Sequence, residues 1–167
     1  MSAHLGRMQR FFPYALAGVM CAGSLSSCSL WHQWIPKKGF VMRTEGKTAE
    51  EQIFNGVNQY RKSHDRPALA RHAGLDSIAR KQARAMAKSG KMDHAHYSAR
   101  AAEAKLDYGM PLFSENVGHG VSASQLVGLW VASSAHRGSL MGKWRGTGVG
   151  TATGADGSLY AIQVFGK

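Results

Sequence analysis

The sequence predicts an α/β chain: a three-layer α/β/α sandwich with a small antiparallel sheet at its centre. Three observations lead there. The last apolar segment alternates Tyr160, Ile162 and Val164 on one side with Leu159, Ala161 and Phe165 on the other, so both faces of that strand must be covered. Two stretches, Thr48 to Glu51 and Ser122 to Gln125, carry the hydroxyl-then-Glu/Gln spacing that opens a helix. A turn at Gly154–Gly157 separates two strand-like runs, 147–153 and 158–165, as a hairpin.

The elements follow in order. After the Thr48 box, Ile53, Val57 and Tyr60 recur at helical spacing, and the turn residues Asp65, Arg66 and Pro67 require the helix to end by Ser63. A second helix, 75–89, has Leu75, Ile78, Ala79, Ala83 and Met86 as its apolar stripe and Gly90 as its C-cap. Its opposite face carries Arg80, Lys81, Arg84 and Lys88, a basic stripe read as solvent-facing. Residues 97–106 are Ala-rich and helical, and a turn at Tyr108–Pro111 leads into a strand, 112–117, closed by Gly118 and Gly120. The helix after Ser122 turns Leu126, Leu129 and Trp130 inward, and a short helical turn spans 134–141. About 120 residues from Thr48 onward can bury roughly two-thirds of their unfolded surface, enough for a core without disulfides.

The first residues read differently. Arg7 and Arg10 precede an apolar run, 11–25, that ends in small residues before Cys28. This is the order of an export signal, too short for a membrane-spanning helix. Leu25-Ser26-Ser27-Cys28 resembles a bacterial lipobox, in which the cysteine is lipidated and becomes the new N-terminus. The expected organisation is therefore a signal peptide at 1–27, a lipidated N-terminus and tether at 28–47, and a folded domain at 48–167. Trp31 and Trp34, followed by Lys37 and Lys38, suit either a membrane interface or packing back onto the domain. Ser29 is not the aspartate associated with inner-membrane retention, which points towards the outer membrane.

The 167 residues include 21 Lys and Arg against 10 Asp and Glu, a formal charge of +11. Loss of Arg7 and Arg10 with the signal would leave 19 against 10, near +9. For an exported chain this charge is expected to meet phospholipid headgroups or envelope polysaccharide, not nucleic acid. The only cysteines are Cys21 and Cys28, so the folded part has neither a disulfide nor a thiolate metal site. There is no Gly-x-Ser-x-Gly elbow, and Gly146, Gly148 and Gly150 alternate in a strand and form no phosphate loop.

Chemistry concentrates at His94, Glu115 and His136, spaced evenly along the chain. Two imidazoles and a carboxylate are the protein ligands of a catalytic zinc with one position left for water. Zinc would bring that water's pKa towards neutral, and binding would weaken as the imidazoles protonate. Glu115 is the candidate catalytic group of such a site, with His119 and Tyr160 as secondary candidates. The structural alternative makes Glu115 a buried acceptor that fixes the surrounding loops and His136 a helix-end residue.

In order along the domain, Asn58 and Arg61; Pro67-Ala68-Leu69; Met92-Asp93-His94 with Arg100; Glu115-Asn116-Val117; Trp130, Ser133, His136 and Arg137; Gly148-Val149-Gly150; and Gln163-Val164-Phe165 resemble the CAP superfamily of cysteine-rich secretory, antigen 5 and pathogenesis-related proteins, in its bacterial extracellular branch. The resemblance implies an α/β/α sandwich with a cleft lined by histidine and glutamate, able in some members to hold zinc. It also implies roles in lipid binding or protein interaction, occasionally proteolysis. The chain departs from the eukaryotic pattern at Ser133, where a second Glu stands, and at Tyr160, where a His stands. It departs from the bacterial pattern at Ser139, which replaces an Asn. The expected function is a lipid-anchored envelope module binding an envelope ligand or protein through the cleft; the alternatives are a zinc-dependent hydrolase and an apolar-ligand carrier.

Overall fold

The computed structural model describes Gly46 and residues 48–167; the expected signal, lipobox and tether lie outside them, apart from Gly46. Its elements are α1 (Ala49–Lys62), β1 (Ala70–Arg71), α2 (Ala73–Ser89), α3 (Tyr97–Tyr108), β2 (Phe113–Gly120), α4 (Ala123–Ala132), α5 (Ser134–Leu140), β3 (Gly146–Thr153) and β4 (Leu159–Gly166). The four strands lie in the order β1-β3-β4-β2. Pairing is antiparallel except between β1 and β3, which run parallel. The sheet is thus mixed, a departure from the all-antiparallel expectation. β1 has only two residues, and its ladder partner lies more than seventy residues away, so no local pattern announces it.

The two faces of β4 divide the core as its alternation requires. Ala161 and Phe165 pack with Ile53, Val57, Leu126, Val127, Trp130 and Leu140, under α1, α4 and α5. Tyr160, Ile162 and Val164 pack with Leu75, Ile78, Ala79, Ala83 and Met86 of α2 and Ala104 of α3. These are the two outer layers of the sandwich. Among the described residues no helix is long and apolar enough to cross a membrane.

α1 opens with the full capping box: Thr48 Oγ1 accepts from the Glu51 amide and Glu51 reaches back to the Thr48 amide. At α4 only half of the expected box forms. Ser122 accepts from the Gln125 amide, but the Gln125 side chain accepts from Val121 instead of Ser122. Leu129 is 37% exposed and not inward; Val127 and Val131 take the core positions beside Leu126 and Trp130. β2 continues through Gly118 and Gly120 to the end of its ladder with β4. Those glycines are places of close approach. A Cβ on Gly118 would stand 2.9 Å from Leu126 Cδ2, and one on Gly120 would stand 2.5 Å from Gln125 Oε1.

α2 lies directly on β3. Its Asp76 carboxylate accepts from the Val149 amide at 2.8 Å and pairs with Arg71 at 2.9 Å, tying the helix's first turn to two strands. Half of the basic stripe on α2 is neutralised by neighbours: Arg80 binds Glu50 and Lys81 binds Glu103.

Candidate functional site

β2 is an edge strand, so its outer side is where side chains from both layers can meet. Alternation sends Glu115 and Val117 towards α2 and α3, and Ser114, Asn116 and Gly118 towards α4 and α5. Glu115 is buried, its side chain 1% exposed, and nothing apolar around it can solvate a charge. It is held by two partners. Arg100, on the inner side of α3, donates Nε to Oε2 at 2.8 Å and Nη2 to Oε1 at 2.6 Å, a two-pronged pair. His94, in the loop before α3, places Nδ1 2.8 Å from Oε1. A carboxylate only accepts, so Nδ1 of His94 carries the proton, and in the neutral ring Nε2 is left as the acceptor.

The network extends outward. Arg100 Nη1 also donates to Gln82 Oε1 at 2.9 Å, and Gln82 Nε2 donates to the Asp93 carbonyl at 3.3 Å. Helix α2 therefore fixes the loop that carries His94. Two side chains close the strand's outer edge. The Tyr97 hydroxyl donates to the Phe113 carbonyl at 2.9 Å and the Trp130 indole to the Val117 carbonyl at 2.8 Å. Burial and the nearby Glu115 charge push the Tyr97 phenol up, so it remains a donor at neutral pH.

From the other layer, Asn116 Nδ2 donates to the His136 carbonyl at 3.0 Å, which seats α5 against β2. The amide of His136 faces Ser133 Oγ, the cap of α5. Burial first, and then the charge of nearby His94, hold the His136 ring below its ordinary pKa of 6.5. The fold thus favours the neutral ring. Its contribution to stability is complete above 6.5 and is lost as pH falls through the lower folded value. An NMR titration of the ring protons is expected to give a His136 midpoint below 6.5, rising towards it in His94→Ala. A midpoint at or above 6.5 in the unmodified protein would contradict this placement.

The structure thus joins His94 to Glu115 and brings His136 within electrostatic reach of His94. His119 and Tyr160 belong elsewhere. Their rings lie 4.6 Å apart, Tyr160 is core, and His119 leans towards Asp156 at 3.7 Å beside the hairpin turn. His119 is four residues along β2 from Glu115, about 14 Å at strand spacing. His72 is the N-cap of α2, His64 packs on Tyr60, and His96 is the N-cap of α3 with no side-chain hydrogen bond to it. Arg137 donates to the Val131 carbonyl and, among the described residues, pairs with no acidic side chain. Arg100 was named from the sequence only as part of the His94 motif, and its role as the partner of Glu115 was not foreseen. Its signal was a cation four positions before Ala104 on the otherwise small inner side of α3.

A zinc set of His94, Glu115 and His136 does not fit these positions. Both Glu115 oxygens are engaged, and the Arg100 guanidinium would lie against the metal's charge. Among the described residues no three His, Cys, Asp or Glu side chains converge to hold a metal ion.

Residues 54–165 match the family model described as CAP, the cysteine-rich secretory protein family. The chain belongs to the CAP family. Its CAP domain is similar in structure to an outer surface protein from Borrelia burgdorferi (TM-score 0.65, 19% identity, 74% of this chain and 95% of that one). It is also similar to an extracellular protein containing an SCP domain from Bacillus anthracis (TM-score 0.61, 24% identity, 71% of this chain). A third is a cysteine-rich secretory protein from Staphylococcus aureus (TM-score 0.56, 21% identity, 71% of this chain). The matched CAP region spans only 40% and 38% of the last two chains. No curated protein sequence matches the chain. At these identities the likeness establishes the CAP fold, and the site is argued from its own geometry.

Proposed function

We propose that this CAP-family chain is exported, anchored through lipid on Cys28, and acts as a binding module through the cleft at the outer edge of β2. The observation that carries the reading is the state of Glu115. Its carboxylate is buried, doubly held by Arg100 and bonded to His94, which makes it a strut that positions an imidazole. The groups left to meet a partner are the His94 ring, 52% exposed, and the half-buried His136 ring. With Nδ1 of His94 committed, its Nε2 suits an N–H or O–H donor on the partner. Export rests on the charged-apolar-small order before Cys28, and the words "outer surface" and "extracellular" in the descriptions of two structurally similar proteins agree with it.

A photo-crosslinking residue in place of Met92, exposed two residues before His94, tests the module in cells; Leu106, on the outer side of α3, is the control position. The expected result is a discrete envelope adduct from position 92 alone, diminished by His94→Ala and by His136→Ala. Equal adducts from both positions, or zinc-stimulated turnover lost in His94→Ala, would overturn the reading; the second outcome favours a hydrolase. Intact-mass analysis of the membrane-extracted protein is expected to show an N-terminal Cys28 carrying acyl chains. A mature N-terminus elsewhere removes the anchor.

A further inference from the structure

A second site lies away from the His/Glu cleft, where the loops after α1 and α5 meet the last residue of the sequence. They enclose a cavity of about 360 Å³ whose walls include Arg61, Arg66, Lys143, Trp144, Arg145 and Lys167 and no acidic side chain. Among the described residues, none of these five cations is paired with a carboxylate. Arg61 is the telling one. It is 2% exposed, yet among the described residues its guanidinium donates only to backbone carbonyls, those of Pro67, Leu140 and Gly142. Burial, and then the neighbouring Arg66, push its pKa down, as expected for a cation without a counter-charge. A buried charge lacking an opposite partner is costly, and an anion in the cavity would supply one. The remaining wall is a fixed aromatic surface. The Trp144 indole donates to the Ser139 carbonyl at 2.7 Å, and its ring stacks on Phe165 with centroids 5.9 Å apart.

We propose that this cavity binds an organic phosphate, its phosphate group taken by Arg66 beside the Arg61 charge and its organic part lying on Trp144; Arg145, whose Nη2 donates to the Gly109 carbonyl at 3.5 Å, stands at the rim. Guanidinium forks match phosphate oxygens in pairs, which lysines do not. The volume falls in the range of small-molecule sites, so the pocket has room for the group that bears the phosphate. The same chemistry is offered by a soluble phosphate ester or by the headgroup of an anionic lipid.

Phenyl phosphate is the probe, titrated calorimetrically into the detergent-purified full chain at physiological salt. One-to-one binding is expected, weakened at least tenfold in Arg66→Ala. Lys88→Ala, which removes an exposed cation of α2, is expected to change it less than twofold. Absence of binding, or equal weakening in Lys88→Ala, overturns the proposal; circular dichroism confirms that each variant is folded. Trp144→Leu is expected to weaken phenyl phosphate but not inorganic phosphate, and equal effects on both would remove Trp144 from the site. Micelles containing phosphatidylglycerol displace the probe if the natural source is a headgroup. Displacement by neither these nor phosphatidylcholine micelles identifies a soluble ester, and displacement by both shows that the probe does not report a phosphate site.

Discussion

Gly148→Ala is expected to destabilise the domain by at least about 3 kcal/mol, a large part of the total for a fold of this size. A Cβ at Gly148 would stand 2.1 Å from the carbonyl carbon of Leu75, and one at Gly150 would stand 2.3 Å from that of Ala79. The obstacle is helix backbone, which cannot rotate aside as a side chain can. α2 would have to lift off β3, breaking the Asp76 bond to the Val149 amide and opening the contacts of Leu75, Ile78 and Ala79. Gly138→Ala is the matched control: a Cβ there meets nothing within 4 Å, and the position is inside α5. Alanine should stabilise that helix by about 0.5–1 kcal/mol. Urea unfolding of the two variants beside the parent is expected to shift the midpoint in opposite directions. Similar midpoints for both would show that α2 does not rest on the strand in this way.

The second large effect is expected at the site. Glu115→Gln keeps the shape of the side chain but leaves the Arg100 guanidinium, 8% exposed, without its counter-charge, a loss of about 3–5 kcal/mol. Arg100→Met leaves the carboxylate stranded in the same way. Replacing both together, with Arg100→Met and Glu115→Leu, removes both charges and should recover more than half of either loss. A double-mutant cycle of Glu115→Leu, Arg100→Met and the variant with both, on unfolding free energies, reads the coupling directly. If Glu115→Gln costs less than about 1 kcal/mol, the pair is no strut, and the reading of Glu115 as a positioning group falls with it.

Both expectations arise from relations between segments that are distant in the chain, and this separates what could be read in the sequence from what could not. Thr48 and Glu51 are three residues apart, and their box formed because its hydrogen bonds close within one helical turn. The stripe of α2 and its Gly90 cap were legible for the same reason. At α4 the hydroxyl half of the box was legible, but the Gln125 side chain had two amides within reach and took that of Val121. Gly118 and Gly120 read as the end of a strand until α4 is seen pressed against them. Leu129 and Val127 are both apolar and flank the Leu126–Trp130 stripe on opposite sides; packing against α1 and the sheet decided between them.

The candidate site was legible as a set of residue types and became a geometry only in the fold. His94 and Glu115 were named from the sequence and do meet, but Arg100, which sets the character of the cluster, bears no local mark of its partner. The basic cavity was less visible still, because its cations are scattered along the chain from Arg61 to Lys167. What the sequence by itself determined is the layering. An alternation of apolar residues on both faces of β4 allows only a covered sheet, since neither face can be left in water. The tertiary structure alone decided which charges are neutralised, as Glu115 is by Arg100, and which stay without a carboxylate, as Arg61 does. Charge pairing acts across a few ångströms of space, and chain order does not specify that distance.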